Sequence, residues 1–445
     1  MATFSIENFG CRATEADASA LRRALLDGGL TPISEHASAD FVVLNTCTVT
    51  AAADSQAREA IRKIHRANPD ARIIVTGCYA QRAPEQLAAL EGVACVVGNS
   101  HQAEIPGVVH ELFATQRTAE DFVSVEQIEN DSMSLARGPA KILTGDIFEQ
   151  SAISLAPVNS ARAEPDRTRP ILKIQDGCNN RCSYCVIPFV RGRGRSLPPD
   201  QVVREVQAVV SAGAKEIVLS GINLGSYGRD LSPRAELASV VRRILDETVL
   251  ERLRFSSIEP QDITEDFVSL VASTERIAPH FHVPLQSGSD RILRAMHRWY
   301  RTKHYAERVR LIRRVLPDSA IGADVIVGFP GETDGDFRAT TEFIEALPFT
   351  YLHVFSFSER PGTKAAGVGN AVPAQVIRER ARVLRALAEE KSAAFRASQA
   401  GRRLRALTLA RSGDNWTEAL TGNYLKVRIE GRHPANQWHE ACLSS

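Results

Sequence analysis

The chain has 445 residues, 44% of them hydrophobic and 24% charged, with a formal net charge of +1. That is too long for one ordinary domain of about 150 residues, and the composition suits a globular protein with a sizeable core, not a disordered or collagen-like one. "MATFSIENFGC" has no basic segment leading into a long apolar run. No stretch reaches the ~18 apolar residues of a membrane span, so neither a secretory signal nor a membrane segment is expected. The expected location is the cytoplasm, where thiols stay reduced and clustered cysteines are more often metal ligands or catalytic groups than disulfides.

Residues 1–110 alternate short apolar runs ("TFSIENF", "DFVVLN", "RIIVTG", "VACVVG") with helix-like stretches such as "TEADASALRRALLDGG" and "SQAREAIRKIHRANPD". This alternation predicts an α/β domain with a parallel, doubly wound sheet. Residues 111–168 lose the rhythm and read as a linker with short helical pieces. From Arg169 it resumes with "ILKIQ", "EIVLSG", "RLRFSSI", "HFHVPLQ", "ADVIVGF" and "YLHVFSF". Six strand–helix units can curl into a partial or closed barrel, whose chemistry belongs at the carboxyl ends of the strands. The helical "AQVIRERARVLRALAEEKSAAFRASQ" leads to a β-rich tail at 397–445. From Ala371 onward, 13 Lys and Arg face 7 Asp and Glu, a net of +6, so the preceding part carries −5. A basic terminal region suits a polyanion, although a solvated face has the same composition.

Of eight cysteines, Cys178, Cys182 and Cys185 lie in "DGCNNRCSYC" with the spacing C-x-x-x-C-x-x-C, just after the first barrel strand. Three thiolates on one loop can hold three irons of a 4Fe–4S cube and leave the fourth without a protein ligand. A closed zinc site needs four positions, which this loop alone does not supply; packing is the remaining alternative. An open iron can bind an amino-and-carboxylate chelate such as the methionine end of S-adenosylmethionine. Cys11, Cys47 and Cys78 are far apart in sequence, yet each follows a predicted parallel strand: "FSIENFGC", "FVVLNTC", "IIVTGC". Carboxyl ends of parallel strands share one sheet edge, so these thiols either converge into a second three-ligand site or are unrelated core residues. Cys95, inside "VACVVG", reads as core.

The loop trio, with Tyr184 before its last cysteine, resembles the radical S-adenosylmethionine superfamily. Together with the second trio and the tail, the whole chain resembles the radical S-adenosylmethionine methylthiotransferases. The resemblance is carried by "NTCTVT" (45–50), "GCYAQR" (77–82), "IQDGCNNRCSYCVIPFVRGRGRS" (174–196), "SGINLGSYGRD" (220–230), "RLRFSSIEP" (252–260), "HFHVPLQSGSD" (280–290) and "LHVFSFSERPGTKA" (352–365). The wording is closest to the MtaB branch. Two places depart from the family: Ala13-Thr14-Glu15-Ala16 stands where an Asn-Gln segment is usual, and Asn223 where that branch has His.

The resemblance implies a flavodoxin-like domain at 1–110 carrying an auxiliary cluster on Cys11, Cys47 and Cys78. It also implies a radical core at 169–396, a partial six-unit barrel with catalytic Cys178, Cys182 and Cys185, and a TRAM-like RNA-binding β-barrel at 397–445. The implied cofactors are two 4Fe–4S clusters and S-adenosylmethionine, with Tyr184, Ser220, Gly221, Asn223, Gln286 and Gly322 as its contacts. Glu259 ends a strand as either a site group or an ordinary carboxylate. Arg191, Arg193 and Arg195, with Tyr424, Lys426 and Arg428 in the tail, are candidate RNA contacts. The implied reaction adds a methylthio group to the 2-position carbon of N6-threonylcarbamoyladenosine at tRNA position 37, in the anticodon loop. Its partners would be tRNA and an external electron donor, without DNA or membrane. The same chemistry on N6-isopentenyladenosine, or a non-catalytic iron–sulfur or zinc RNA-binding protein, are the competing readings.

Overall fold

The computed structural model describes residues 2–120, 140–153 and 168–443, arranged as two units. The first unit takes residues 1–158 with the short segments Gly177–Asn179 and Val186–Arg193; the second takes the remainder, tail included.

The first unit is a six-stranded parallel sheet in the order β2-β1-β3-β4-β5-β6. Its strands are β1 (Thr3–Asn8), β2 (Thr31–Pro32), β3 (Phe41–Thr46), β4 (Arg72–Gly77), β5 (Val93–Gly98) and β6 (Lys141–Leu143). The 2-1-3-4-5 arrangement is the flavodoxin-like one. Strands β3, β4 and β5 carry the apolar runs FVVL, IIV and VACVV because both of their faces are covered. Side chains alternate across the sheet, so Phe41, Val43 and Ile74 join Leu21, Leu25 and Val109 on one side. Val42, Leu44, Ile73 and Val75 meet Ile61 and Ile64 on the other. Cys95 is fully buried in the first of these cores.

Two edge strands of this sheet, β2 and β6, carry no legible signal in the sequence, both being too short to show periodicity. One of them, β6, lies inside the expected linker: Cys95, Val96 and Val97 pair with Lys141, Ile142 and Leu143. The rest of that stretch falls largely on residues 121–139 and 154–167, outside the described ones.

The second unit contains the six expected parallel barrel strands. These are β7 (Ile171–Asp176), β9 (Glu216–Gly221), β10 (Arg252–Phe255), β11 (His280–His282), β12 (Ala320–Val327) and β13 (Tyr351–Ser356), with a short antiparallel β8 (Arg195–Ser196) on β7. They form the ladders β10-β9-β7-β8 and β11-β12-β13, linked by single bridges at Leu253–Ile277 and Ser257–His282. The result is a partial barrel. The helix Ala374–Ser398 then leads to an antiparallel curled sheet, β16-β15-β14-β17, made of β14 (Arg403–Gly413), β15 (Trp416–Thr421), β16 (Lys426–Glu430) and β17 (Trp438–Cys442).

A buried ionic cluster joins tail to barrel. Arg254 is fully buried, donates from Nε to Glu216 at 2.8 Å, and caps the Gly422 and Thr421 carbonyls at 3.0 and 3.1 Å. Burial alone would raise the Glu216 carboxyl, but Arg254, Arg169 and Arg252 hold it below its usual value. Pairing of this kind is what makes a fully buried carboxylate tolerable.

Candidate metal centres and active site

In the first unit, β1, β3 and β4 end beside one another and deliver Cys11, Cys47 and Cys78. Gly10, at φ +119°, leaves room for Cys47: a Cβ there would lie 2.5 Å from the Cys47 Cβ and 3.0 Å from its Sγ. Gly77, at φ +97°, is equally constrained, since a Cβ would collide with the Thr46 backbone. Only glycine adopts this backbone without strain. The loop after Cys47 is pinned to the helix that begins at Cys78. Thr48 donates to Asp54 at 2.6 Å, while Arg82 donates to Thr48 at 2.7 Å and to Asp54 at 2.8 Å. "NTCTVT" and "GCYAQR" are thus two halves of one brace.

The three thiols feel each other. Burial, then Cys78 and Cys11, push the Cys47 thiol up to about 12. Burial also raises Cys78, although Arg191 pulls against it. Thiols crowded in this way gain most from a cationic metal that takes their protons' place. Cys78 is further surrounded by donors: Arg191 Nε approaches its sulfur at 3.2 Å and Asn99 Nδ2 at 3.6 Å. The Arg191 guanidinium also binds Asp17 at 2.7 Å, and both side chains are almost fully buried. Support for the Cys11 turn comes from the atypical segment itself, since Thr14 donates to the Cys11 carbonyl at 2.7 Å and Asn45 to the Thr14 carbonyl at 2.7 Å.

The loop Gly177–Cys185 follows β7. Cys178 belongs with the first unit, where its N–H donates to the Gly192 carbonyl at 3.1 Å. Cys182 and Cys185 belong to the second, joined by a turn bond of 3.1 Å. Ser183 anchors that turn, its N–H and Oγ on the carbonyls of Met296 and Ala295 at 3.0 and 2.8 Å. Tyr184 packs against the buried cluster of Ile292, Met296, Phe329 and Ala365. Arg298, 4% exposed, donates to Cys182 Sγ at 3.3 Å and to the Tyr300 hydroxyl at 3.2 Å, and pairs with Glu259. Glu259, undecided from sequence, is therefore the arginine's partner; burial raises its carboxyl despite Arg298.

Of the other expected cofactor contacts, Ser220 and Gly221 end β9 and Asn223 follows, its backbone N–H on Gln175 Oε1 at 2.7 Å. Asn223 Oδ1 is buried without a hydrogen-bond partner, which fits an acceptor awaiting a ligand donor. Gln286 sits at φ +68°, sparsely populated for a non-glycine residue and the kind of backbone that gathers at binding sites. At Gly322 the space a side chain would need is filled by the Tyr351 ring, so the glycine admits a neighbour's aromatic ring there.

The RNA candidates divide. Arg191 and Arg195 are buried, the first committed to Asp17 and Cys78 and the second lying 3.8 Å from Asp176, so neither offers a surface; Arg193 is exposed. Tyr424 stacks on His280 with centroids 4.1 Å apart and has Arg254 5.3 Å from its ring, so it closes the foot of the barrel. Lys426 and Arg428 are exposed on β16, with Arg428 4.5 Å from the Trp416 ring.

Sequence reasoning missed a polar set on the inner face of the barrel, where alternate residues of β11, β12 and β13 point. His282, Asp324 and His353 hold their ligand-type atoms within 4.8 Å of one another. Ser257 Oγ meets His282 Nδ1 at 2.6 Å, and Asp324 Oδ1 lies 3.1 Å from His282 and 3.2 Å from His353. Burial works against the Asp324 carboxylate, yet the two histidines hold it well below the usual range. Asp17, Asn99 and Arg298 were missed too, because nothing in local spacing marks a residue that serves a distant cysteine.

The fold and the site define a class: a radical S-adenosylmethionine enzyme with a flavodoxin-like domain. The Radical SAM superfamily model matches residues 172–344, and that of Uncharacterized protein family UPF0004 matches 3–98. The Threonylcarbamoyladenosine tRNA methylthiotransferase MtaB of Aquifex aeolicus is 36% identical, over 96% of each chain. Its Bacillus subtilis counterpart is 35% identical, over 97% of this chain and 91% of its own. The tRNA-2-methylthio-N(6)-dimethylallyladenosine synthase of Thermobifida fusca is 35% identical, over 92% and 78%. Among solved structures, the radical S-adenosylmethionine methyltransferase TsrM of Kitasatospora setae shares the fold, with TM-score 0.58 at 18% identity over 82% and 77% of the chains. The chain belongs to the radical S-adenosylmethionine methylthiotransferase family that modifies tRNA, in its MtaB branch. A 4Fe–4S cluster and S-adenosylmethionine come with that membership. Among the described residues no helix is long and apolar enough to cross a membrane.

Proposed function

We propose that this enzyme attaches a methylthio group to the 2-position carbon of N6-threonylcarbamoyladenosine at tRNA position 37. The observation that carries the choice of nucleoside is the set His282–Asp324–His353 on the inner barrel face. A threonylcarbamoyl substituent brings a carboxylate, a hydroxyl and urea N–H groups, which can pair with imidazoles and a carboxylate. An isopentenyl group has no donor or acceptor to offer this set, whose histidines and aspartate would then keep only one another, and a site that hydrogen-bonds its substrate discriminates against one lacking those groups. The names of the Aquifex and Bacillus relatives point the same way.

Two 4Fe–4S clusters serve the reaction, one on Cys178, Cys182 and Cys185 and an auxiliary one on Cys11, Cys47 and Cys78. When bound, the first would relay the external donor's electron for reductive cleavage of S-adenosylmethionine, the source of the radical that can activate an unreactive ring carbon, and the auxiliary one would offer the site that carries the sulfur. The chain's own residues bind and orient. Asn223 Oδ1 would accept from the cofactor's amino group, with Ser220 and Gly221 beside it. Tyr184 would contact the adenine, and Gln286 would add a polar contact. Lys426 and Arg428, with the Trp416 ring, bind the tRNA through phosphate contacts and stacking, and Arg193 is a separate candidate phosphate contact. The adenosine is reached by extruding a base that is already single-stranded. An external one-electron donor and a cytoplasmic setting complete the reading.

The test is nucleoside mass spectrometry of tRNA from cells with and without the gene. Loss of the methylthio form with accumulation of the threonylcarbamoyl precursor is expected; accumulation of isopentenyladenosine overturns the substrate assignment. In purified enzyme His353→Phe should lower kcat/KM on the threonylcarbamoyl substrate at least tenfold, about 1.4 kcal/mol. Cofactor cleavage without substrate should be unaffected.

A further inference from the structure

Each cysteine trio has a buried arginine on one of its sulfurs, and the two arrangements are built alike. Arg191 donates from Nε to Cys78 at 3.2 Å and is held by Asp17 at 2.7 Å, with Asn99 as a further donor. Arg298 donates from Nη1 to Cys182 at 3.3 Å and is held by Glu259 and by the Tyr300 hydroxyl, over whose ring its carbon lies at 4.9 Å. The arginines are 2% and 4% exposed. The two arrangements are separate in sequence: Asp17 and Arg191 come from the N-terminal helix and the segment after the cluster loop, Glu259 and Arg298 from two barrel connections.

We propose that Arg191 and Arg298 are positioning residues that raise the reduction potential of the cluster each trio holds, through a charge-assisted N–H···S bond to one ligand sulfur. For Arg191 this rests on the auxiliary cluster of the proposed function. A guanidinium only donates and cannot lose its proton in a protein, so it favours negative charge on the sulfur. Reduction adds negative charge to a cluster and its thiolates, and hydrogen bonds to the sulfurs are among the levers that set its potential. Burial strengthens the effect by excluding water. The carboxylate partner fixes the fork so that one N–H stays on the sulfur, which lysine's single ammonium cannot reproduce while holding the acid. A salt bridge alone would not require the arginine to touch a cysteine, and both do.

The experiment isolates each cluster in full-length protein by replacing the other trio with alanine, then measures its midpoint potential by a redox titration followed by electron paramagnetic resonance, with iron and sulfide counted. Arg191→Lys and Arg191→Met should each shift the auxiliary cluster's reduced-to-oxidised ratio toward the oxidised form at least tenfold. That is about 59 mV downward for one electron. The barrel cluster should not move. Arg298→Lys and Arg298→Met should do the converse. The lysine variants decide the matter if the methionine ones lose iron.

Full iron content with an unchanged or raised potential overturns the proposal. If the chain with Cys178, Cys182 and Cys185 replaced binds no cluster at all, the auxiliary-cluster reading falls together with the Arg191 half. The Arg298 half is then judged by its own potential.

Discussion

The two cysteine trios reach similar surroundings by opposite routes. Cys178, Cys182 and Cys185 sit on one eight-residue loop, so their proximity is a local property of the chain. Cys11, Cys47 and Cys78 come from the ends of three strands, and only the order β1-β3-β4 brings them to one edge. A local site depends on its loop and on a few anchors such as Ser183. An assembled site depends on the whole sheet, on Gly10 and Gly77 allowing close approach, and on the Thr48–Asp54–Arg82 brace. The assembled trio should therefore be the more fragile to changes away from the cysteines.

The largest effects should separate the trios by function. Cys182→Ala should abolish reductive cleavage of S-adenosylmethionine, whereas Cys47→Ala should leave cleavage intact and stop methylthio transfer. Chromatography of deoxyadenosine and of modified nucleoside reads both. Equal loss of cleavage in the two variants would erase the division of labour. A backbone change comes next. Gly77→Val imposes a left-handed conformation that costs a side chain about 1–3 kcal/mol, and it adds the clash with Thr46. Iron should be lost from the auxiliary trio while the barrel trio, assayed by cofactor cleavage, keeps its cluster. The smallest effect is expected from Thr50→Ala. Thr50 caps the helix Ala51–Ala67 by accepting from Ala53 at 3.2 Å, and its loss should lower stability by about 1 kcal/mol in urea unfolding.

What could be read without the structure follows the same divide. The loop trio, the strand–helix alternation of both α/β regions and the strand-end positions of Cys11, Cys47 and Cys78 were legible, because side-chain period and short spacing are written locally. The edge strand β6 was not, since three residues carry no period. Arg191 and Arg195 looked like surface cations in "RGRGRS", because sequence does not say which arginine meets a buried acid. Asp17, Glu259 and Arg298 carry no spacing signal at all.

Local order along the chain was thus enough to mark the cysteines, the repeat of strand and helix and the family these imply. Long-range packing chose which buried arginine serves which sulfur, placed the Tyr351 ring beside Gly322, and gathered His282, Asp324 and His353 on the barrel's inner face. The physical reason is range. Backbone preference and hydrophobic period act over a few residues, whereas a buried charge must find a partner wherever packing puts one, 174 residues away for Arg191 and Asp17.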